Sequence, residues 1–350
     1  MDLERMRNWR PPSGWPVITA IDAHAAGEPL RVIVSGWPEL LGPSVLERRR
    51  AAKEHFDHLR TALMWEPRGH ADMYGCLLMP PVSQDAHFSV LFMHNEGYST
   101  MCGHGIIAVV TVVLETGLFP LTCPETELRI DTPAGKVTAL ARVEAGRVAG
   151  VRFRNVPSFV VALDEEVEVP GLGRVRYDLA FGGAFYVFVR EEEVGIPLEA
   201  KSVPALIRAG TAIKRAVSAA RPVRHPLEEE LSFLYGTIFV GPPRTPGAHS
   251  RNVCVFADGE VDRSPTGTGV SARLALHCLR GEIGLGESLR IESVIGTSFT
   301  GKVVEETKVG PLPAVVPEVE GQAYITGVHE FVLAPDDPLK HGFLLGREDA

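Results

Sequence analysis

The sequence predicts an α+β fold made of two related halves. Short segments that alternate apolar and polar residues fill most of the chain, and only a few segments show helical spacing of apolar residues. Such a strand-rich chain with few helices favours an α+β fold over a doubly wound parallel sheet. A seven-residue pattern also occurs twice, each time ahead of a helical segment, which indicates an internal repeat.

Length and composition limit the class of protein. The 350 residues are enough for two domains, and the 45% hydrophobic content is typical of a globular protein. The net charge of −9 disfavours nucleic acid and anionic membranes as partners. Residues 1–15 are charged and lack the apolar core of a signal peptide, so we expect a loose extension there. The apolar run 106–114 is far shorter than the ~20 residues of a membrane span.

Cysteine usage indicates the compartment. The five cysteines are an odd number, scattered along the chain and without a Cys-x-x-Cys pair. This pattern argues against a disulfide framework and against a structural zinc site. It favours a reducing environment, so the predicted location is the cytoplasm.

The first part of the chain alternates strand signals with one helix. Residues 17–37 suggest two strands around a Gly-Glu-Pro turn, and residues 44–65 have the spacing of an amphipathic helix. Residues 88–99 suggest a strand that ends in a glycine turn. Residues 126–160 suggest a run of short strands with turns at Pro-Ala-Gly and Glu-Ala-Gly.

The second part of the chain has the same character. Residues 174–189 suggest further strand, and residues 203–220 predict a second amphipathic helix. Three more segments, 232–240, 251–261 and 289–306, have strand patterns.

The internal repeat is the strongest sign of organisation. Residues 102–108 (CGHGIIA) and 266–272 (TGTGVSA) share the pattern x-Gly-x-Gly-apolar-x-Ala, and a glycine follows each first position by fifteen residues, at Gly117 and Gly281. Each copy therefore predicts a helix that a glycine terminates. One Gly-x-Gly alone would indicate only a tight turn. Two helix N-termini with free N–H groups predict a small-anion site in a cleft between two halves.

Cys102 stands at the start of the first of these helices. The positive end of a helix lowers a thiol pKa, so we expect a thiolate that acts as base or nucleophile. The alternative is a small buried apolar residue, a description that suits Cys76, Cys123, Cys254 and Cys278. His104 follows between two glycines. It could orient the thiolate, bind a carboxylate, protonate a leaving group or simply cap a turn.

The second copy carries a hydroxyl where the first carries a thiol. Thr266 cannot act as a general base without an activator, so we expect it to be an ordinary helix N-cap. Asp262 is either a solvated turn residue or the partner of a bound ammonium group. The histidines His24, His70 and His104 lack metal-ligand spacing, so we expect no metal site.

Together, MCGHG and DRSPTGTG resemble the proline racemase superfamily. Further stretches are similar to family blocks in the same order, so that the resemblance covers nearly the whole chain: DAHAAGEPLR, EPRGHADMYGCLL, NEGYSTMCGHG, AFGGAFYV and ESVIGTSFTGKV. The resemblance implies two pseudo-symmetric halves, each a curved, mostly antiparallel sheet or barrel around a helix, as in diaminopimelate epimerase. The active site would lie in the cleft between them. The first half would span 16–170, completed by 335–350, and the second 171–334.

The resemblance also implies a reaction. Racemases of the family place one cysteine on each side of the substrate α-carbon; here the first position is Cys102 and the second is Thr266. A threonine at the second position marks the dehydratase branch. The implied activity is that of a hydro-lyase that dehydrates trans-3-hydroxy-L-proline to Δ1-pyrroline-2-carboxylate. Cys102 would be the base, and Thr266 and His104 the other catalytic candidates.

The remaining site residues follow from the same motifs. The resemblance implies that the substrate carboxylate is held by backbone N–H groups around Gly103, His104, Gly267 and Thr268. It also implies that the side chain of Asp262 contacts the ring amine. It implies no metal, pyridoxal or nicotinamide cofactor. The expected partner is hydroxyproline, and a homodimer stays open. The alternatives are a 4-hydroxyproline 2-epimerase or proline racemase that uses an activated Thr266, and an amino-acid-binding protein without catalysis.

Overall fold

The computed structural model describes residues 3–345 and has a mixed α/β fold. Within these residues the helices are α1 (Leu3–Arg7), α2 (Val45–His55), α3 (Asp57–Met64), α4 (Gly103–Glu115), α5 (Glu191–Val194), α6 (Val203–Ala220) and α7 (Gly267–Leu279). Short 3-10 helices lie at Ala200–Ser202 and Glu229–Leu231. No helix of this part of the chain is long and apolar enough to cross a membrane.

Strands make up most of the remaining regular structure. They are β1 (Val17–Ala25), β2 (Glu28–Ser35), β3 (Tyr74–Met79), β4 (Phe88–His94), β5 (Glu125–Thr132), β6 (Gly135–Glu144), β7 (Arg147–Arg154), β8 (Ser158–Val169), β9 (Gly173–Phe181), β10 (Phe185–Arg190), β11 (Leu234–Gly241), β12 (Ser250–Phe256), β13 (Glu260–Val261), β14 (Ser288–Glu292), β15 (Ser298–Val309), β16 (Leu312–Gly321) and β17 (Ala323–Val332).

Backbone hydrogen bonds join these strands into one barrel-like sheet. A first run follows the order β17-β1-β2-β3-β4-β5-β6-β7. A second run follows the order β8-β9-β10-β11-β12-β14-β15-β16 and closes through pairing of β16 with β8. In both runs the third and fifth pairings are parallel and the others antiparallel. The runs meet where β7 pairs with β16.

Helices α4 and α7 fill the interior of the sheet. α4 is buried from Gly103 to Leu114 and packs against β7, β1 and β17. α7 is buried from Gly267 to Leu276 and packs against β16, β8 and β9. A helix that is apolar on all sides belongs in a core. The central position of both helices places their N-termini inside the molecule.

Several local predictions are confirmed. The two strands predicted for 17–37 are present as β1 and β2. The turn that joins them is Ala26-Gly27, with φ angles of 52° and 97° that fit a tight hairpin, rather than the predicted Gly-Glu-Pro turn, because Glu28 and Pro29 already belong to β2. Turns at Pro-Ala-Gly and Glu-Ala-Gly separate β5, β6 and β7. The helix predicted for 203–220 coincides with α6.

The single helix predicted for 44–65 is wrong, because two helices occupy this segment. The chain leaves the helical conformation at Phe56, where φ is −129°. The break lets Arg60, held by Asp57 at 2.7 Å, donate to the carbonyls of His94 and Asn95. Apolar residues continue at helical spacing across Phe56, so the sequence pattern does not reveal the break.

Further elements were not predicted, among them α1, β16 and β17. The N-terminal extension contains the short helix α1, none of whose residues is buried. Strands β16 and β17 lie beyond the last strand expected from the sequence. Pro313 and Pro317 in β16 weaken the strand signal, since proline cannot donate to a ladder.

Candidate active site

The two helices of the internal repeat meet at their first residues. Both are 13 residues long, and both are followed by the predicted glycine, Gly117 with φ 77° and Gly281 with φ 70°. A Cβ placed on Gly103 would lie 2.5 Å from the Cα of Gly267, and one on Gly267 would lie 2.7 Å from the Cα of Gly103. Only glycine permits this backbone approach.

A small cavity lined by buried residues lies at this meeting point. Its volume is about 20 Å³, which is room for about one water molecule. Both helix starts and an aromatic wall enclose it, the lining residues being Tyr74, Met101, Cys102, Gly103, His104, Tyr186, Tyr235, Cys254, Phe256, Asp262, Thr266, Gly267 and Thr268. The structure therefore brings all the sequence-predicted site residues together.

Cys102 is the N-cap residue of α4. Its Sγ accepts a hydrogen bond from the Gly105 N–H at 3.2 Å, and Nδ1 of His104 lies 3.2 Å from the same sulfur. The thiol is 5% exposed and lines the cavity. This position suits proton transfer to or from a small molecule in the cavity.

The expectation of a lowered thiol pKa is wrong. Burial raises the pKa of Cys102 well above its usual value, and the charge of Asp262 raises it further. The Gly105 N–H opposes this but is outweighed. Removal of the sulfur from water destabilises the thiolate more than the helix N-terminus stabilises it.

His104 lies in the first turn of α4 and is 4% exposed. Burial lowers its pKa, while Asp262 and the Pro29 carbonyl raise it. Its ring makes an edge contact with Tyr74 at 4.9 Å between centroids. The histidine is therefore part of the buried cavity wall beside the thiol, not the cap of a surface turn.

Thr266 occupies the N-cap position of α7, but it does not cap the helix. Its φ of 65° and ψ of 94° are unusual for a β-branched residue, and its side chain makes no cap hydrogen bond. Oγ1 is buried and lacks a hydrogen bond of good geometry among the described residues. The side chain of Thr266 interacts with the thiol of Cys254: burial and the charge of Asp262 raise the pKa of that thiol, and Thr266 partly opposes the rise. The expectation of an ordinary N-cap is therefore wrong.

The other predicted binding residues lie around the same cavity. Asp262 is 5% exposed rather than solvated, and its Oδ1 accepts from the Ser264 N–H at 2.7 Å. The adjacent Arg263 guanidinium donates to Asp72 at 2.7 Å. The hydroxyl of Thr268 shares a 2.8 Å hydrogen bond with Tyr186. Helix geometry leaves the first amides of α4 and α7 without intrahelical acceptors, so they suit an anion.

Sequence reasoning missed the aromatic wall and one acid. Tyr74, Tyr186, Tyr235 and Phe256 lie on four separate strands, and only the folded sheet gathers them. Glu28 is fully buried, and its Oε2 accepts from the Arg263 N–H at 2.6 Å. Burial and then the charge of Asp262 raise the pKa of Glu28 well above its usual value. The family-like blocks contain some of these residues, but no spacing rule singles them out.

The remaining histidines have local roles. His24 accepts from the Gly27 N–H at 3.2 Å, and His70 accepts from the Asp72 N–H at 3.3 Å. Residues 3–345 contain no group of three or more metal-ligating side chains arranged to hold an ion.

With the fold and the cavity established, comparison with known proteins identifies the family. Residues 20–344 match the family model described as proline racemase. The chain belongs to the proline racemase family, as its motifs indicated.

Curated relatives include dehydratases and an epimerase. A protein of Bacillus thuringiensis called trans-3-hydroxy-L-proline dehydratase is 50% identical over 330 residues, which cover 94% of this chain and 98% of the relative. A Burkholderia multivorans protein called 3-hydroxyproline 2-epimerase is 46% identical over 328 residues, which cover 94% of this chain and 98% of the relative. Further relatives at 44–49% identity carry the dehydratase name, including the human protein.

The fold matches solved structures of the family. A hydroxyproline epimerase from Agrobacterium vitis, solved with bound trans-4-hydroxy-L-proline, superposes with a TM-score of 0.89 at 32% identity. The match covers 94% of this chain and 96% of that structure. The mixed α/β fold with a barrel-like sheet is therefore shared with the family.

Proposed function

We propose that the protein is a hydro-lyase that dehydrates trans-3-hydroxy-L-proline to Δ1-pyrroline-2-carboxylate. The observation that carries this proposal is the unequal pair in the cavity, with a thiol at the start of α4 and a hydroxyl at the start of α7. The names of relatives at 44–50% identity support it. Hydroxyproline is the proposed small-molecule partner, and homodimerisation stays a prediction.

We propose that the site lies in a cleft between two pseudo-symmetric halves. The matching order of parallel and antiparallel pairings in the two strand runs supports this division, as does the equivalent position of α4 and α7. The predicted boundary at 170/171 stays a prediction. The pairings favour a division in which β8 joins the second half and β17 the first, since β8 pairs with β9 and β16 and β17 pairs with β1.

The segment 335–350 was predicted to complete the first half. Residues 346–350 lie outside the described residues. Within 335–345, the Phe343 N–H donates to the Glu66 carbonyl at 2.8 Å, just beyond α3. This contact supports the proposed place of the segment in the first half.

In the proposed complex, the substrate carboxylate binds between the two helix termini. The N–H groups around Gly103, His104, Gly267 and Thr268 would donate to it, and these donors would stabilise the enediolate that forms when the α-proton leaves. The ring ammonium would lie beside Asp262. Because an adjacent positive charge favours an anion, the bound ammonium would counteract the burial that raises the pKa of Cys102.

The proposed reaction uses one face of the substrate ring. In trans-3-hydroxy-L-proline, the hydroxyl and the α-hydrogen lie on the same face. Cys102 takes the α-proton, and the electron pair of the Cα–H bond forms the Cα=C3 double bond as the C3–O bond breaks. The departing hydroxide takes a proton from an acid on the same face of the ring and so leaves as water. The resulting Δ2 enamine tautomerises to the Δ1 imine. A second thiol is not needed for this sequence of steps.

The second candidate is a 2-epimerase, because one relative at 46% identity carries that name. Epimerisation requires a proton donor on the face opposite Cys102. The residue in the corresponding position is Thr266. Within residues 3–345, its hydroxyl has no hydrogen bond of good geometry to a base that would activate it. This arrangement favours elimination over inversion.

The test is incubation with trans-3-hydroxy-L-proline in D2O, followed by NMR. We expect loss of substrate and formation of the cyclic imine by the wild-type protein, and no turnover by Cys102→Ser, because a serine hydroxyl is a far weaker base catalyst than a thiolate. Near-normal turnover by Cys102→Ser would contradict the assigned base. Deuterium at Cα with inverted configuration, and no imine, would establish the epimerase instead.

A further inference from the structure

The hydroxyl of Tyr74 lies at the centre of a buried polar cluster on the cavity wall. It donates to Ser99 Oγ at 2.6 Å and lies 3.3 Å from the hydroxyl of Tyr235. All three side chains are buried, and Tyr74 and Tyr235 line the cavity. A hydroxyl hydrogen rotates freely about its C–O bond, so this phenol can donate either to Ser99 or to a molecule in the cavity.

The same phenol lies beside the catalytic thiol. Burial is the largest influence on the pKa of Cys102 and raises it, whereas a side-chain interaction with Tyr74 lowers it. The ring of Tyr74 also packs edge-on against His104. Tyr74 is thus on the α4 side of the cavity, whereas the hydroxyl of Tyr186 is bound to Thr268 on the α7 side.

This placement bears on the unassigned step of the proposed reaction. The substrate hydroxyl leaves from the face on which Cys102 removes the α-proton. Hydroxide is a poor leaving group unless it is protonated as it departs. A donor must therefore lie on the α4 side, within reach of both the thiol and C3 of the substrate. Burial raises the pKa of Tyr74 well above its usual value, so the phenol keeps its proton at neutral pH.

We infer that Tyr74 is the general acid that protonates the departing 3-hydroxyl. This inference rests on the proposed dehydratase function. The Tyr74 O–H bond breaks as the C3–O bond breaks, and water leaves. The phenolate then takes the proton that Cys102 removed from the α-carbon, which restores both phenol and thiolate. The α-proton thus leaves with the next water, and the enzyme needs no proton from a second face of the ring.

The surrounding groups fit this role. Hydrogen bonds from Ser99 and Tyr235 would stabilise the transient phenolate, because a charged acceptor strengthens such bonds. The competing donors are the Cys102 thiol itself, once it holds the α-proton, and His104, whose Nδ1 lies 3.2 Å from Cys102 Sγ. If either of them were the acid, imine formation would stay near normal in Tyr74→Phe. Burial lowers the pKa of His104, which leaves the imidazole neutral and less suited to donate a proton.

The experiment compares elimination with α-proton exchange in the variant Tyr74→Phe. In D2O, we expect imine formation to fall by about 10²–10⁴-fold, the usual contribution of a general acid. Cys102 remains able to remove and return the α-proton, so recovered substrate should carry deuterium at Cα with retained configuration. A merely structural role of the phenol would not separate these two rates.

Matched variants complete the test. Tyr177→Phe removes a buried phenol outside this cavity and should leave both rates unchanged. If Tyr74→Phe does not fold, Ser99→Ala replaces it and should raise the ratio of exchange to elimination by removing a hydrogen bond from the phenolate. Near-normal imine formation in Tyr74→Phe, or equal loss of exchange and elimination in a folded variant, overturns the inference. Absence of imine with the wild-type protein refutes the proposed function instead.

Discussion

Cys102 and Thr266 occupy corresponding positions but differ in backbone conformation and bonding. Cys102 has an extended backbone and accepts an N–H from its own helix, whereas Thr266 has a φ of 65° and an unpaired hydroxyl. A non-glycine residue in such a conformation costs of the order of 1–3 kcal/mol. The strained backbone and the unpaired buried hydroxyl both lie at the cavity, as expected where function outweighs stability.

The identity of residue 266 should decide between elimination and inversion. We expect Thr266→Cys to gain deuterium incorporation with inverted configuration when it is given L-proline, which has no 3-hydroxyl to expel. The reason is that a thiol on the α7 side supplies an acid for the opposite face of the α-carbon. Proton NMR and chiral chromatography in D2O measure the gain.

The conservative variant Thr266→Ser serves as the control. It keeps a hydroxyl and should show no inversion of L-proline. Equal rates of inversion for Thr266→Ser and Thr266→Cys would show that the thiol is not the decisive difference.

At the scale of the elements, α4 and α7 depend on the contact between their first glycines. A methyl group on Gly103 would lie 2.5 Å from Gly267 Cα, 2.9 Å from its carbonyl carbon and 3.1 Å from the Thr268 N–H nitrogen. All three atoms belong to the backbone, so relief requires the helix termini to separate. The two sets of anion-binding amides would then no longer converge.

We therefore expect Gly103→Ala to lower kcat/KM by about 100-fold or more, since a displacement of roughly 1 Å in a catalytic site costs about that factor. Steady-state kinetics on trans-3-hydroxy-L-proline measure the effect, and thermal unfolding reports the accompanying loss of stability. Gly284→Ala is the matched control, because a Cβ at Gly284 meets nothing within 4 Å. Full activity in Gly103→Ala would contradict the proposed role of the contact.

At the scale of the whole molecule, the cavity is narrow and its lining residues are buried. Its volume of about 20 Å³ holds a water but not a proline ring. A substrate therefore enters only when the walls around the two helix termini move apart. Cys102 is buried in this cavity, whereas Cys123 is exposed.

This difference predicts unequal alkylation by iodoacetamide. Cys123 should react readily, while Cys102 should react slowly, because it must become exposed and because burial raises its pKa. Pyrrole-2-carboxylate, a flat analogue of the carbanion, at about 100 times its dissociation constant should slow the labelling of Cys102 about 100-fold. Peptide mass spectrometry measures both sites, and Cys123 is the internal control. Equal labelling of the two thiols, or no protection of Cys102, would refute a buried ligand-binding cavity.

The sequence by itself determined the local features of this protein. The two helices of the repeat, their terminal glycines and the hairpin turns follow from backbone preferences of neighbouring residues, and the structure confirms them. The exchange of thiol for hydroxyl between Cys102 and Thr266 is likewise readable from two aligned motifs. The family resemblance rested on these motifs and is confirmed by the family match.

Only the tertiary structure decided the properties that depend on distant residues. The rise in the pKa of Cys102 comes from burial. The effect of a helix N-terminus on a thiol pKa, which the sequence indicates, takes no account of burial. The conformation of Thr266, the break at Phe56 and the cluster of Tyr74 with Ser99 and Tyr235 arise from contacts across the sheet. Local sequence sets what each segment can form, but burial and long-range packing set the electrostatics and the neighbours of the site.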